Sequence, residues 1–108
     1  MSRFTDVLAR LEATIATRGS ADPSTSYTAK LLAGGPALAA KKFGEEAVEA
    51  VIAAVEGNAE ALAAESADVI YHWLVLLAAS GVSLDQIAAR LEAREGRSGI
   101  EEKAQRGA

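Results

Sequence analysis

The strongest constraint on the fold is the segment DVIYHWLVLL at residues 68–77. On a helix, this segment presents apolar side chains on nearly every side, and such a helix is buried among others rather than laid on a surface. The apolar run, residues 69–79, is too short to span a bilayer. We therefore expect it to form the centre of a soluble helical bundle.

Turn signals and helical periodicity divide the rest of the chain. Apolar residues recur at helical spacing near the start, and GSADPSTS then breaks the pattern. Gly34, Gly35 and Pro36 separate a two-turn segment from a long helix, and Gly57-Asn58 forms the next turn. Ser83 opens a capping box ahead of IAARLEARE. The predicted helices cover residues 2–18, 27–33, 36–56, 59–80 and 87–95, and the polar tail beyond them is expected to be a short helix or a mobile arm.

Composition narrows the class of protein further. No alternating strand pattern occurs and alanine is abundant, which predicts an all-α fold. A chain of 108 residues fits one domain, residues 1–108. Because alanine-rich helices bury little area each, we expect a bundle completed by a second copy, as a homodimer or a higher homo-oligomer.

The composition also disfavours several functions. The net charge of -4 disfavours nucleic-acid binding, which depends on clustered Lys and Arg. The absence of cysteine excludes cysteine-ligated zinc and iron–sulfur sites. Residues 1–11 lack the apolar core of a signal peptide. We therefore expect a cytoplasmic protein with no nucleic-acid and no membrane partner.

The stretch KKFGEEAVEAVIAA at residues 41–54 places three acids beside apolar residues. Glu45, Glu46 and Glu49 span an arc of about 100° on one side of their helix, at the edge of its buried face. One interpretation is a solvated surface, in which the two preceding lysines pair with glutamates four residues further on. The other interpretation is that a positive partner meets these carboxylates.

Two further acids lie on the apolar helix itself. Glu65 and Asp68 are i,i+3 neighbours on one face of it. The intervening turn makes the two long helices antiparallel, so that Glu46 and Glu49 lie roughly level with this pair. Four converging carboxylates repel one another unless a hard cation sits between them, and Mg²⁺ prefers oxygen ligands. The sequence therefore predicts a Mg²⁺ site, with Mn²⁺ as an alternative ion.

The single histidine argues against a di-iron carboxylate site. Such a centre expects Glu-x-x-His on two helices, whereas His72 follows Asp68 by four residues. We expect His72 to be a core residue or a hydrogen-bond partner of Asp68, in preference to a metal ligand.

These motifs resemble a known family. The pattern E-E-x-x-E at residues 45–49, followed by E-x-x-D at residues 65–68, is similar to the signature of MazG-type all-α nucleotide pyrophosphohydrolases. Within that superfamily, SYTAKLL, KKFGEEAVEAVIAA and ESADVIYHWLVLL resemble the phosphoribosyl-ATP pyrophosphohydrolase family of histidine biosynthesis, and GRSGIEEKAQR looks like its ending. Phe43 stands where that family leads us to expect a smaller aliphatic residue.

The resemblance implies a hydrolase with a MazG-like helical bundle. The implied reaction is cleavage between the α and β phosphates of phosphoribosyl-ATP, which gives phosphoribosyl-AMP and pyrophosphate. Acids matching Glu46, Glu49, Glu65 and Asp68 would hold Mg²⁺, which leaves Glu45 to orient or deprotonate the attacking water. A fused zinc cyclohydrolase, which some relatives carry, is not expected in a chain of this length without cysteine.

Substrate contacts are predicted at the short second helix, on the following helix and in the tail. Basic side chains there would meet phosphate oxygens, and hydroxyls would donate hydrogen bonds to them. The other interpretation is that a Ser or Thr caps a helix and that the basic side chains are solvated. The predicted contacts are Ser26, Tyr27, Thr28, Lys30, Lys41, Lys42, Arg97 and Lys103, with Ser98 and Arg106 as further candidates in the tail.

Two other functions stay open at this point. A house-cleaning nucleotide pyrophosphohydrolase shares the acidic signature, although SYTAKLL and the tail count against it. A non-enzymatic helical interaction module explains a bundle and a dimer, but it does not explain acids on a buried helix.

Overall fold

The computed structural model describes residues 2–96, and every regular element in that range is a helix. This confirms the all-α prediction for the described part of the chain. Met1 and residues 97–108 lie outside it. The helices are α1 Arg3–Arg18, α2 Tyr27–Ala33, α3 Gly35–Val55, α4 Ala59–Ser80 and α5 Leu84–Glu92.

Capping side chains explain where four of the five described helices begin, α3 being the exception. The first N–H groups of a helix have no partner within it, and a side-chain oxygen just before the helix can accept one of them. Ser83 also forms the predicted capping box with Gln86. The residues that cap helices in this way are Ser2, Ser26, Asn58 and Ser83.

The last helix begins and ends three residues earlier than the sequence predicted, at Leu84 rather than residue 87. It ends at Glu92 rather than residue 95. The N–H groups of Arg94 and Glu95 donate to carbonyls only three residues back, at 3.0 and 3.1 Å. Gly96 then adopts a φ of 76°, a left-handed conformation that suits glycine and does not continue a helix. A tight turn therefore replaces the final helical turn.

Helices α3 and α4 form the largest contact in the fold. The three-residue connection between them, in which Gly57 has a φ of 72°, reverses the chain and makes them antiparallel. Leu74 and Val75 of α4 form one buried cluster with Ile15 of α1, Leu31 of α2 and Ala39 of α3. The apolar segment of α4 thus lies at the centre of the bundle, as predicted.

A stripe of apolar residues on α3 has no cover among residues 2–96. We call Val48, Val51, Ile52 and Val55 the α3 stripe; they follow helical spacing and are between 47% and 82% exposed. By length and composition alone α4 could also cross a membrane, a test that the core helix of a soluble protein passes equally well. An exposed apolar stripe of this kind marks a place where another molecule can bind.

Candidate active site

Three carboxylates converge where α3 faces α4. Glu46 comes from α3, and Glu65 and Asp68 come from one face of α4. One oxygen of each carboxylate lies within 4.8 Å of the others. Glu46 and Glu65 are half-buried, whereas Asp68 is exposed. The helix pair therefore brings together three of the four acids that the sequence predicts as metal ligands.

This arrangement fits a divalent cation. Two oxygens on opposite sides of a Mg²⁺ ion lie about 4.2 Å apart, because each bond is about 2.1 Å long. Oxygens already within 4.8 Å of one another reach that spacing through small side-chain rotations. All three donors are carboxylates, which are hard ligands suited to a hard divalent ion. The cluster can therefore hold such a cation and leave coordination positions for other oxygen ligands.

The negative charges of the cluster act on Glu65. Partial burial and, after it, the charges of Asp68, Glu49 and Glu46 raise the pKa of the Glu65 carboxyl above its ordinary value of 4.5. Like charges at short range favour the neutral form of an acid. A cation held between these groups would reverse that preference, because it favours the ionised carboxylate.

The other two glutamates of α3 lie beside the cluster. Glu49 is exposed; its charge acts on Glu65, but its carboxylate is not among the three within 4.8 Å. Glu45 is also exposed, and its Oε1 lies 3.4 Å from Nζ of Lys42. A purely solvated face predicts Lys42 paired with Glu46, four residues away. In the structure, Lys42 instead pairs at i,i+3, and Glu46 turns toward α4.

His72 is buried and links two parts of the site. Its Nδ1 lies 2.7 Å from the backbone oxygen of Asp68, which can only accept, so Nδ1–H is the donor. Nε2 of the neutral ring then accepts from the Tyr27 hydroxyl at 3.1 Å. Of the two expectations, burial fits that of a core residue, and the bond to Asp68 is made to its main chain rather than to its carboxylate. Both ring nitrogens are thereby engaged, and neither is left for a metal.

The three hydroxyls predicted to contact substrate have partners within the chain. Ser26 Oγ accepts the N–H of Ala29 at 3.1 Å, as the N-cap of α2. The hydroxyl of Thr28 is hydrogen-bonded to the hydroxyl of Tyr71 on α4, and the hydroxyl of Tyr27 is hydrogen-bonded to His72 on the same helix. These contacts hold α2 against α4. For Ser26 the geometry therefore favours the capping interpretation.

The predicted basic contacts lie at different depths. Lys30 and Lys41 are exposed, whereas Lys42 is half-buried. Burial raises the pKa of the Tyr27 hydroxyl, and the nearby charge of Lys42 partly offsets that rise. Of these three lysines, Lys42 is therefore the one that pairs with a glutamate of α3 and whose charge also acts on a residue of α2. The tail residues Arg97, Ser98, Lys103 and Arg106 lie outside the described residues.

Sequence reasoning missed Tyr71. Its ring stacks with that of Tyr27, with centroids 6.3 Å apart and an angle of 19° between the planes. It also meets His72 edge-on, at a centroid distance of 5.0 Å. The available signal was the Tyr71-His72 pair on an apolar helix, since both side chains carry polar atoms that need partners when buried.

Cavities occur elsewhere in the fold. One, of about 370 Å³, lies between α1 and the end of α4. Another, of about 580 Å³, lies between α1, α2 and the end of α4, and both are lined by Ile15 and Ala78. None of the clustered acids lines either cavity. The acidic cluster therefore lies apart from both cavities, on the side of α4 that faces α3.

Comparison with known proteins identifies the family. The sequence pattern of the family described as phosphoribosyl-ATP pyrophosphohydrolase matches residues 8–95, a range that contains the clustered acids. The chain belongs to this family.

Full-length relatives carry the matching enzyme name. A phosphoribosyl-ATP pyrophosphatase of Caulobacter vibrioides is 71% identical over 104 residues, with 96% of each chain covered. One from Caulobacter sp. strain K31 is 66% identical over 106 residues, with 98% of each chain covered. A third, from Dinoroseobacter shibae, is 64% identical over 100 residues, covering 93% of this chain and 98% of the relative.

Membership of the phosphoribosyl-ATP pyrophosphohydrolase family confirms the resemblance seen in SYTAKLL and the acidic motifs. It makes the chain a hydrolase of phosphorus-containing anhydrides, which excludes a purely structural interaction module. The relatives above share one enzyme name, so they lend no support to a house-cleaning nucleotide pyrophosphohydrolase. A pyrophosphohydrolase family and an acidic cluster together indicate a divalent cation at this site.

Proposed function

We propose that the chain hydrolyses phosphoribosyl-ATP to phosphoribosyl-AMP and pyrophosphate, the second step of histidine biosynthesis. Water adds to phosphorus and the bond between the α and β phosphates breaks, so that the β and γ phosphates leave together. Family membership and the names of relatives at 64–71% identity support this proposal. The observation that carries it is the convergence of Glu46, Glu65 and Asp68, because a polyphosphate substrate needs a cation to offset its charge.

The acids are proposed to have two roles, metal binding and activation of the attacking water. Glu46, Glu65 and Asp68 would hold the ion, with Glu49 as a fourth ligand beside them. Mg²⁺ is the proposed ion and Mn²⁺ the alternative, since all these donors are hard oxygens. When bound, the ion supplies positive charge that stabilises the charge developing on the phosphates. Glu45 is proposed to orient or deprotonate the attacking water, and its ion pair with Lys42 restricts where its side chain can lie.

The substrate is proposed to lie across α2 and α3. Lys30, Lys41 and Lys42 would contact phosphate oxygens, for which an ammonium group is a suitable donor. Ser26 and Thr28 would act chiefly by holding α2 in place, through the bonds they make within the chain. Arg97 and Lys103 are proposed as phosphate contacts from the tail.

The working unit is proposed to be a homodimer or a higher homo-oligomer in the cytoplasm, with residues 1–108 acting as one domain. The α3 stripe supports this, because four neighbouring side chains are 47% to 82% exposed. Helix α4 supports it too, since Ile70, Trp73 and Leu77 are only half-buried by the described residues. A second copy packed on these helices would remove apolar surface from water and complete the bundle.

An assay of pyrophosphate release tests the proposal directly. Purified protein with phosphoribosyl-ATP and Mg²⁺ should release pyrophosphate. Excess EDTA should abolish the release, because it removes the divalent ion that the clustered acids are proposed to hold. A panel of ordinary and damaged nucleoside triphosphates should be cleaved far more slowly. Full turnover in EDTA would refute the metal assignment, and a preference for a panel member would refute the substrate assignment.

A further inference from the structure

Tyr27 is held in an unusual way for an exposed aromatic residue. Its side chain is on the first residue of α2, and it is 52% exposed. Its hydroxyl points inward, however, to Nε2 of the buried His72 at 3.1 Å. The polar end of the side chain is therefore anchored in the protein, and the apolar ring is what solvent meets.

The hydroxyl bond and two ring contacts fix the orientation of this ring. It stacks on Tyr71, with centroids 6.3 Å apart and planes 19° apart. It meets His72 nearly perpendicularly, at 5.9 Å and 73°. His72 is in turn anchored to the main chain of Asp68 by a bond of 2.7 Å. The ring thus has little rotational freedom to lose when a ligand binds against it.

Hydrogen bonds connect this side chain to the helix turn that carries the acids, because its partner His72 is bonded to the main chain of Asp68. Burial raises the pKa of the Tyr27 hydroxyl, and the charges of Lys42, Glu46 and Glu45 act on the same group. The phenol therefore stays protonated at neutral pH and donates to Nε2. A ligand whose phosphates met a cation at the cluster would have its remaining parts within reach of this ring.

We infer that the exposed face of the Tyr27 ring is the surface on which the purine base of the nucleotide substrate stacks, with His72 as the positioning residue that fixes the ring. The inference rests on the proposed function, because a purine reaches this surface only as part of a nucleotide. It also reassigns Tyr27: the ring recognises the base, and the hydroxyl, already bonded to His72, does not serve the phosphates.

A comparison of two ligands separates base stacking from a structural role. ATP carries both a purine and a triphosphate, whereas inorganic tripolyphosphate carries only the phosphates. Calorimetry with Mg²⁺ should show that Tyr27→Leu weakens ATP binding by about tenfold or more, the usual size of a lost base–aromatic stack. Tripolyphosphate binding should change by less than about twofold, because the phosphate contacts are intact. Phe4→Leu, which removes a ring that is 59% exposed on α1, should leave both affinities unchanged.

Conservative variants test the positioning role of His72. Tyr27→Phe keeps the ring and loses only the bond to Nε2, so ATP affinity should fall less than in Tyr27→Leu. His72→Gln retains an acceptor for the Tyr27 hydroxyl, whereas His72→Asn is too short to reach it. For phosphoribosyl-ATP, His72→Asn should raise KM with little change in kcat, and His72→Gln should restore much of KM. In the Tyr27→Phe background the two His72 variants should no longer differ, because the bond they affect is already absent.

Several results would overturn the inference. Equal losses for ATP and tripolyphosphate in Tyr27→Leu would show that the residue only maintains the structure. No loss for either, or wild-type protein that binds ATP no more tightly than tripolyphosphate, would show that no base stacks there. Failure of the proposed function looks different: wild-type protein would release no pyrophosphate from phosphoribosyl-ATP, whatever the binding pattern of the Tyr27 variants.

Discussion

Replacing Asp68 by Asn tests the metal assignment with the least disturbance. The two side chains have nearly the same shape, and the change removes one negative charge from the cluster. The backbone oxygen of Asp68, which accepts from His72, is unaffected. The side chain is exposed, so no buried apolar contact is lost. Any effect on stability should therefore come from charge and from the bound ion.

The expected magnitude follows from the distances in the cluster. Oxygens of Asp68, Glu46 and Glu65 lie within 4.8 Å of one another. At that range and in water, two unit charges repel by about 0.9 kcal/mol, and physiological salt reduces this to about 0.5 kcal/mol. Two such repulsions are relieved in Asp68→Asn, so the metal-free variant should be about 1 kcal/mol more stable. In a chain of this size that raises Tm by about 4–8 °C.

Mg²⁺ should remove this advantage. At 100 times its Kd, the ion stabilises the wild-type protein by about 2.7 kcal/mol. If loss of a ligand weakens binding tenfold, the variant gains only about 1.4 kcal/mol at the same concentration. The two proteins should then melt at nearly the same temperature. Hydrolysis by the variant should fall by at least about a hundredfold, because loss of a ligand costs at least as much as loss of its supporting partners.

The assay is thermal melting in EDTA and in saturating Mg²⁺, beside the measurement of pyrophosphate release. Glu60→Gln is the matched control, since it removes one charge from the first turn of the same helix, away from the cluster. It should be slightly less stable than wild type, because acids favour a helix start, and it should respond normally to Mg²⁺. Wild-type turnover and a wild-type Mg²⁺ response in Asp68→Asn would refute the metal assignment.

Two more predictions follow from the surface and from the charges. Val51→Asp places a charge in the α3 stripe, where desolvation of that charge on assembly would be costly. The mass measured by light scattering at micromolar concentration should therefore fall from that of a dimer to that of a monomer. Thr14→Asp on α1 should remain dimeric, and an unchanged mass for Val51→Asp would remove the stripe from the interface. In EDTA, the raised pKa of Glu65 means that the folded state binds this proton more tightly than the unfolded state, so stability is lost as pH rises from 4.5 through the folded pKa. Denaturant unfolding should show Glu65→Gln gaining on the wild type over that range, whereas a pH-independent difference would contradict the repulsion.

Much of the helical plan was predictable because its signals act over a few residues. A capping oxygen at Ser26 or Asn58, and a glycine at Gly81 with a φ of 71°, set helix ends locally. The approach of Glu46 to the acids of α4 was also predictable, because a short turn between two long helices makes them antiparallel neighbours. Both ends of α5 were placed three residues too late, because the helix starts directly after its N-cap Ser83 and the turn at residues 93–96 replaces the predicted last turn.

The sequence by itself determined the all-α class, the helix order and the set of acids, since these depend on spacing along one chain. The tertiary structure decided which polar atoms meet. Tyr27 and His72 are 45 positions apart, and the carboxylate of Glu12 accepts the N–H of Leu84 at the start of α5 across 72 positions. Such contacts depend on the register between packed helices and on one rotamer among several for each side chain. For the same reason, only the fold could show that three of the four predicted ligands lie within 4.8 Å while Glu49 stands beside them.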